Sequence, residues 1–177
     1  MAWTIESAGE AETQGLGALL AEVLQARAVS ELIIDLRGEL GAGKTVFVRG
    51  LGRALGVPPA VPIVSPTFTI ARAYGLPGPT LQELHHLDAY RLGSVDDLEA
   101  AGWEEMCGNG RLTCVEGGGN VEEALPEDRL HVMLTHATLA GTDAEPRDDA
   151  RRIEIRGGGP VTEGIVEQMQ TARESAT

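Results

Sequence analysis

Leu16, Leu19, Leu20, Val23 and Leu24 recur at helical spacing, which predicts an amphipathic helix over 10–27. Leu32-Ile33-Ile34-Asp35-Leu36 is a short, nearly continuous apolar run, the pattern of a buried parallel strand. A glycine-rich segment over 38–43 leads into a second helix over about 44–55. Its Phe47, Leu51, Ala54 and Leu55 share a face, and Gly56 and Pro58-Pro59 end it. Pro62 and Pro66 punctuate a loop ahead of a strand over 67–74, and Gly75-Leu76-Pro77-Gly78-Pro79 reads as a turn. A further strand over 80–87 ends at Asp88. Ser94, three residues before Asp97, has the position of a helix N-cap. Gly108-Asn109-Gly110 turns the chain into a strand over 112–115 that ends at Glu116. Asn120 with Glu123 resembles a capping pair for a short helix stopping before Pro126. Two late strands, 130–134 and 153–155, flank a polar stretch over 139–150 that is expected to be mobile. Val161, Ile165 and Met169 predict a terminal helix over about 161–173 with a frayed end.

No repeat and no linker interrupts this order, so residues 1–177 read as one domain of α/β class, with about 158–177 as a C-terminal helix and tail. A chain of 177 residues with 42% apolar side chains is long enough to bury a core and too apolar for wholesale disorder. Its 14 basic and 27 acidic residues give a net charge of −13. Unaided nucleic-acid binding is therefore not expected, since phosphate neutralisation supplies most of that affinity. Cys107 and Cys114 fit no zinc or C-x-x-C spacing and suit a reducing compartment. The N-terminus lacks a basic segment followed by an apolar core, and no apolar run is long enough to span a bilayer. A cytoplasmic protein without membrane attachment is the expectation.

Thirteen of the basic residues are Arg; the single Lys is Lys44. A sequence that uses Arg everywhere else points to a need for an ammonium at this position. Lys44 lies in Gly38-Glu39-Leu40-Gly41-Ala42-Gly43-Lys44-Thr45, which satisfies G-x-x-x-x-G-K-[ST]. Chance would produce that pattern roughly 0.002 times in a chain of this composition, and here it also follows a strand and opens a helix. Glycines let successive backbone N–H groups curl around phosphate oxygens, and the helix N-terminus adds partial positive charge. Lys44 is expected to reach the β- and γ-phosphates and the Thr45 hydroxyl to ligate Mg2+. Residues 37–53 hold Arg37, Lys44, Arg49 and Arg53 against Glu39, a local net of +3 inside an acidic protein. The expected architecture is thus a P-loop NTPase-like three-layer sandwich: a mostly parallel central sheet with antiparallel additions and helices on both faces.

A guanine-reading N-K-x-D motif would need a second lysine, so ATP is expected rather than GTP. Hydrolysis needs a carboxylate in the magnesium shell and a group that orients the attacking water. Glu116 and Asp88 both sit where strands end, the place where ligands bind in open α/β sheets, against the plainer reading of solvated strand-end acids. His85 and His86 alternate across a strand and so should not share one ion; they read as core or surface histidines. Residues 83–105 carry a net charge of −6, which fits a solvated helix face or a dock for a basic partner. Ser65-Pro66-Thr67-Phe68-Thr69 reads equally as a proline turn entering a strand and as a switch loop whose Ser65 and Thr67 hydroxyls sense the γ-phosphate or magnesium.

Four segments in order resemble the TsaE family of bacterial tRNA threonylcarbamoyladenosine biosynthesis ATPases. They are the 38–45 loop, Ser65-Pro66-Thr67-Phe68-Thr69, His86-Leu87-Asp88-Ala89-Tyr90-Arg91-Leu92 and Val115-Glu116, with Leu125-Pro126 before a strand in keeping. The resemblance spans roughly residues 10–156. It implies an ATPase that acts on a TsaB–TsaD-like partner pair, which modifies adenosine 37 of tRNA, and that resets the pair between turnovers. It implies that Lys44 and Thr45 hold phosphates and Mg2+, that Glu116 and Asp88 belong to the metal and hydrolytic machinery, and that Thr13 lies beside the nucleotide. It assigns no role to Tyr90 or Arg91. This chain departs from the family in having Gly117 where Trp usually follows the strand-end Glu, Val46 in place of a second Thr, and Ala89 in place of Leu. Two other function classes compete: a small P-loop phosphotransferase, disfavoured because residues 73–110 offer only Arg91 to neutralise a phosphoryl group, and a non-hydrolytic ATP-gated binding module.

Overall fold

The apolar run at 32–36 lies at the centre of a seven-stranded sheet in the computed structural model, which describes residues 2–66, 68–137 and 150–175. The strands are β1 (Ala2–Ser7), β2 (Glu31–Arg37), β3 (Ala71–Gly75), β4 (Glu83–Asp88), β5 (Arg111–Glu116), β6 (Leu130–His136) and β7 (Arg151–Gly157). Their order is β1-β7-β6-β2-β5-β4-β3. The four central strands β6, β2, β5 and β4 run parallel, while β3 pairs antiparallel at one edge and β7 and β1 at the other. The helices are α1 (Glu10–Ala26), α2 (Lys44–Ala54), α3 (Val95–Ala100), α4 (Trp103–Met106) and α5 (Pro160–Ser175). This is the expected three-layer α/β sandwich.

Alternation along β2 sorts the two layers. Leu32, Ile34 and Leu36 face a core built with Leu20 and Leu24 of α1, Phe47 and Leu51 of α2 and Ile165 and Met169 of α5. Ile33 faces a smaller core with Leu98 of α3, Met106 of α4 and Val121. Asp35, on the same side as Ile33, is fully buried. A buried carboxylate needs partners: it pairs with Arg37 at 2.9 Å and Arg129 at 3.5 Å, with His131 Nδ1 at 3.4 Å. Arg37 and Arg129 both also reach Glu122, at 3.1 and 2.9 Å. The network ties β2 to the 3-10 helix Gly118–Ala124 that follows β5.

Several local expectations are corrected. The strand placed over 67–74 begins only at Ala71. Thr69 and Ile70 donate their backbone N–H groups to Pro66 O, so this β-branched stretch closes a turn instead of extending. Likewise β4 starts at Glu83 rather than 80. Ser94 does cap its helix, accepting from Asp97 N at 3.2 Å. Asn120 is not a cap: Gly117 takes that position, the helix is 3-10, and Asn120 Nδ2 donates to Leu92 O. The hydropathy reading placed no element over β1 or α4. Thr67 and nearly all of the polar stretch 139–150 lie outside the described residues. Among the described residues no helix is long and apolar enough to cross a membrane.

Candidate functional site

The parallel strands β2, β5 and β4 end together, and the site is assembled at those ends. β2 runs directly into the glycine-rich loop, and α2 begins at Lys44. Gly38 turns the chain sharply at φ +135, and a Cβ there would collide with the Leu134 carbonyl oxygen of the neighbouring strand β6. Only glycine meets both demands. Lys44 is buried despite its charge, and its Nζ donates to the carbonyls of Gly38 at 2.8 Å and Glu39 at 2.9 Å. The ammonium thus folds back over the loop with two of its three donors on loop carbonyls, in reach of whatever the loop encloses.

The register of β4 against β5 sets Asp88 beside Glu116 and His86 beside Cys114. Thr45 Oγ1 donates to Glu116 Oε1 at 3.1 Å, and His86 Nε2 lies 2.8 Å from the same oxygen. Burial raises the Glu116 pKa. The hydrogen bond and charge of His86, the Lys44 ammonium and the Thr45 hydroxyl outweigh that effect and hold it below the usual carboxylate range. Glu116 is therefore ionised and can only accept, so Nε2 of His86 carries the proton of that bond. Asp88, also buried, accepts from Tyr90 N through Oδ1 at 3.1 Å and so caps the 3-10 helix Ala89–Arg91.

A cavity of about 290 Å³ is lined by Glu39, Leu40, Lys44, Ser65, Asp88, Tyr90, Arg91 and Glu116. A second of about 190 Å³ adjoins it along Leu40, Gly41, Gly43, Lys44, Thr45, Val46, Ser65 and Glu116. Lys44, Thr45, Asp88, Glu116 and Ser65 thus converge, as do Glu39, Leu40, Gly41 and Gly43. Ala42 is buried beneath the loop and packs into the larger core. Thr13 stands on the far side of the loop. It is buried, shares a hydrogen bond of 2.9 Å with Ser7 Oγ, and lines a cavity with Glu10, Gly41, Gly43, Val46 and Arg151. The two histidines do diverge: His85 pairs with Glu83. The cleft around Asp35, at about 140 Å³, is smaller and lies on the other face of β2.

Three participants escaped the sequence reading. His86 was read as a core or surface histidine; it is fully buried, and beyond that reading its Nε2 holds Glu116. Tyr90 donates its hydroxyl to Gly38 O at 2.9 Å, and its ring centroid is 5.4 Å from Lys44 Nζ. Arg151 lays its guanidinium on the carbonyls of Ala42 and Gly41, at 3.1 and 3.3 Å. The run His86–Leu92 was the signal for the first two; only the strand register turns it into contacts. Nothing in the sequence pointed to Arg151.

A family model for the threonylcarbamoyl adenosine biosynthesis protein TsaE matches residues 7–144. A tRNA threonylcarbamoyladenosine biosynthesis protein TsaE from Streptomyces coelicolor is 40% identical over 148 residues, covering 81% of this chain and 89% of the relative. The protein of the same name from Nostoc sp. is 47% identical over 144 residues (78% and 81%), and that from Bacillus subtilis 33% over 137 residues (77% of each). A crystal structure of Bacillus subtilis YdiB superposes with a TM-score of 0.70 at 26% identity, covering 98% of this chain and 97% of that one.

Proposed function

Because the chain belongs to the TsaE family of threonylcarbamoyl adenosine biosynthesis proteins, we propose that it is the ATP-binding and ATP-hydrolysing subunit of that tRNA-modification machinery. Its proposed site of action is a complex of TsaB- and TsaD-like proteins in the cytoplasm. The observation that carries this reading is one oxygen: Glu116 Oε1, at the end of β5, 3.1 Å from the hydroxyl of Thr45 in the first turn of α2. A hydroxyl and an ionised carboxylate at this distance beside a buried ammonium are hard donors suited to a magnesium–triphosphate.

The loop amides and the α2 N-terminus would receive the phosphates, and Lys44 would turn its ammonium toward the β- and γ-oxygens. Thr45 and Glu116 would hold Mg2+, with Asp88 at the same strand ends. Bound there, the ion supplies charge neutralisation to the transferring phosphoryl group. Among the described residues no group of three or more His, Cys, Asp and Glu side chains could hold an ion by itself, so the remaining ligands would be phosphate oxygens and water, as suits Mg2+. The Ser65 side of the cavity faces the same space and is the proposed switch segment. Thr13 and its neighbours would border the rest of the nucleotide. A net charge of −13 fits action through protein partners rather than unaided tRNA binding.

The test is ATP hydrolysis by the purified chain, alone and then with its cognate TsaB- and TsaD-like proteins. Weak turnover that rises with partners is expected, as when an activating protein completes a P-loop site. Lys44→Ala should lose ATP affinity, and Glu116→Ala should lose turnover and tRNA modification. A Glu116→Ala protein with both intact would remove Glu116 from the hydrolytic machinery, and a parent protein that binds ATP but turns none over, alone or with partners, would leave a nucleotide-gated binding module.

A further inference from the structure

Gly117 and Tyr90 fit each other in a way the family pattern does not anticipate. Gly117 sits directly after Glu116 at φ +72, and a Cβ there would lie 2.6–2.8 Å from three ring carbons of Tyr90. A side chain at 117 would push the ring away. With glycine in place, the ring settles over this backbone and spans to the phosphate-type loop, where its hydroxyl donates to Gly38 O. The same carbonyl accepts from Lys44 Nζ. Tyr90 is itself anchored, because Asp88 Oδ1 accepts from its backbone N–H.

We propose that Tyr90 is a positioning residue for Lys44: its hydroxyl satisfies the Gly38 carbonyl when the ammonium turns away to the nucleotide's phosphates, and Gly117 is what gives the ring its seat. A carbonyl offers two lone pairs, so Gly38 O takes both donors. When Lys44 redirects a donor, the carbonyl keeps one partner and no unsatisfied acceptor is left in a partly buried turn. The ring, with its face toward Nζ, limits the space into which the ammonium can swing. Asp88 thereby acts on the loop through Tyr90 whatever else it does.

This inference rests on the nucleotide reading above, and the experiment separates the two. ATP affinity is measured by calorimetry for the parent protein, Tyr90→Phe, Gly117→Ala, Tyr90→Ala and the Tyr90→Ala/Gly117→Ala double variant, with the thermal midpoint of each nucleotide-free protein. Tyr90→Phe keeps the ring and removes one neutral hydrogen bond. It should weaken ATP binding about three- to tenfold, shift the thermal midpoint by no more than about 4 °C, and raise KM by more than it lowers kcat. Gly117→Ala should lose at least as much in the parent and clearly less in the Tyr90→Ala background, where no ring remains to displace and only the strain of a side chain at φ +72 is left. Tyr90→Phe binding within twofold of the parent, or an equal cost of Gly117→Ala with and without Tyr90, overturns the inference and leaves the nucleotide reading intact. A parent protein that binds no ATP overturns both.

Discussion

Replacing Glu116 by Gln removes one negative charge and almost no volume. In the nucleotide-free protein the amide oxygen can still accept from Thr45 and His86, which now contact Oε1 at 3.1 and 2.8 Å. The buried carboxylate is stabilised by those bonds and by Lys44, so the exchange trades lost attraction against relieved desolvation. Folding stability should move by no more than about 1 kcal/mol. With a magnesium nucleotide in place the balance differs, because the amide cannot supply the charge-assisted contact that a carboxylate gives the ion or its waters. Such a contact contributes about 1.5–3 kcal/mol, equivalent to a loss of about 10- to 150-fold in affinity. The assay is calorimetric titration with ATP, once with Mg2+ and once with EDTA. The variant should match the parent within about threefold in EDTA and fall behind by the larger factor with Mg2+. An equal loss in both conditions would show that Glu116 shapes the loop rather than serving the ion, and no loss in either would remove it from the site.

Asp35→Leu should destabilise the fold by about 3–5 kcal/mol, because it leaves Arg129 and Arg37 without their buried counter-ion; urea unfolding of the nucleotide-free protein checks this, and a loss under 1 kcal/mol would mean that the network behaves as a solvated surface pair. Asp128 accepts from the N–H groups of Val161 and Thr162 and from the Thr162 hydroxyl, at 2.9, 3.0 and 2.6 Å, and so caps α5 from a neighbouring loop. Asp128→Ala should cost about 1 kcal/mol at neutral pH. Burial raises the pKa of Asp128, but the Thr162 hydroxyl and the two backbone N–H groups bring it below the usual range. Its contribution is therefore present above the ordinary aspartate pKa and is lost as pH falls through the lower folded value. Parent and variant should converge in stability at strongly acidic pH, and a gap that persists there would contradict the capping role.

The parts of the site that one segment builds alone were readable from the sequence. The run 32–36, the glycines of 38–43 and the helix from Lys44 declare themselves through local pattern, and Asp88 and Glu116 are found as acids that close apolar runs. What was not readable depends on strand register. His86 looks like a core histidine until β4 is laid parallel to β5, two residues out of step with Glu116. Tyr90 and Gly117 are far apart in sequence and meet only because both follow those paired strand ends. Asp35 could have been flagged as the one charge in an apolar run with Arg37 two residues on, but its other partners come from β6 and the turn before it. β1 carries the strand-favouring Trp3, Thr4 and Ile5 in alternation with polar residues, a short signal that the reading passed over and that pairing with β7 makes visible. The turn at 68–70 was misread because Thr, Phe and Ile favour strands, whereas the Pro66 carbonyl captures the donors that a strand would need.

The central claim is that the loop 38–45 receives the phosphates of ATP through Lys44. It is tested most directly by titrating ATP with Mg2+ into the purified protein and into Lys44→Ala in a calorimeter. Saturable heat in the parent, with its loss or a drop of at least tenfold in affinity in the variant, is the predicted result. Equal binding by both proteins, or no binding by either with or without the partner proteins, would contradict the account.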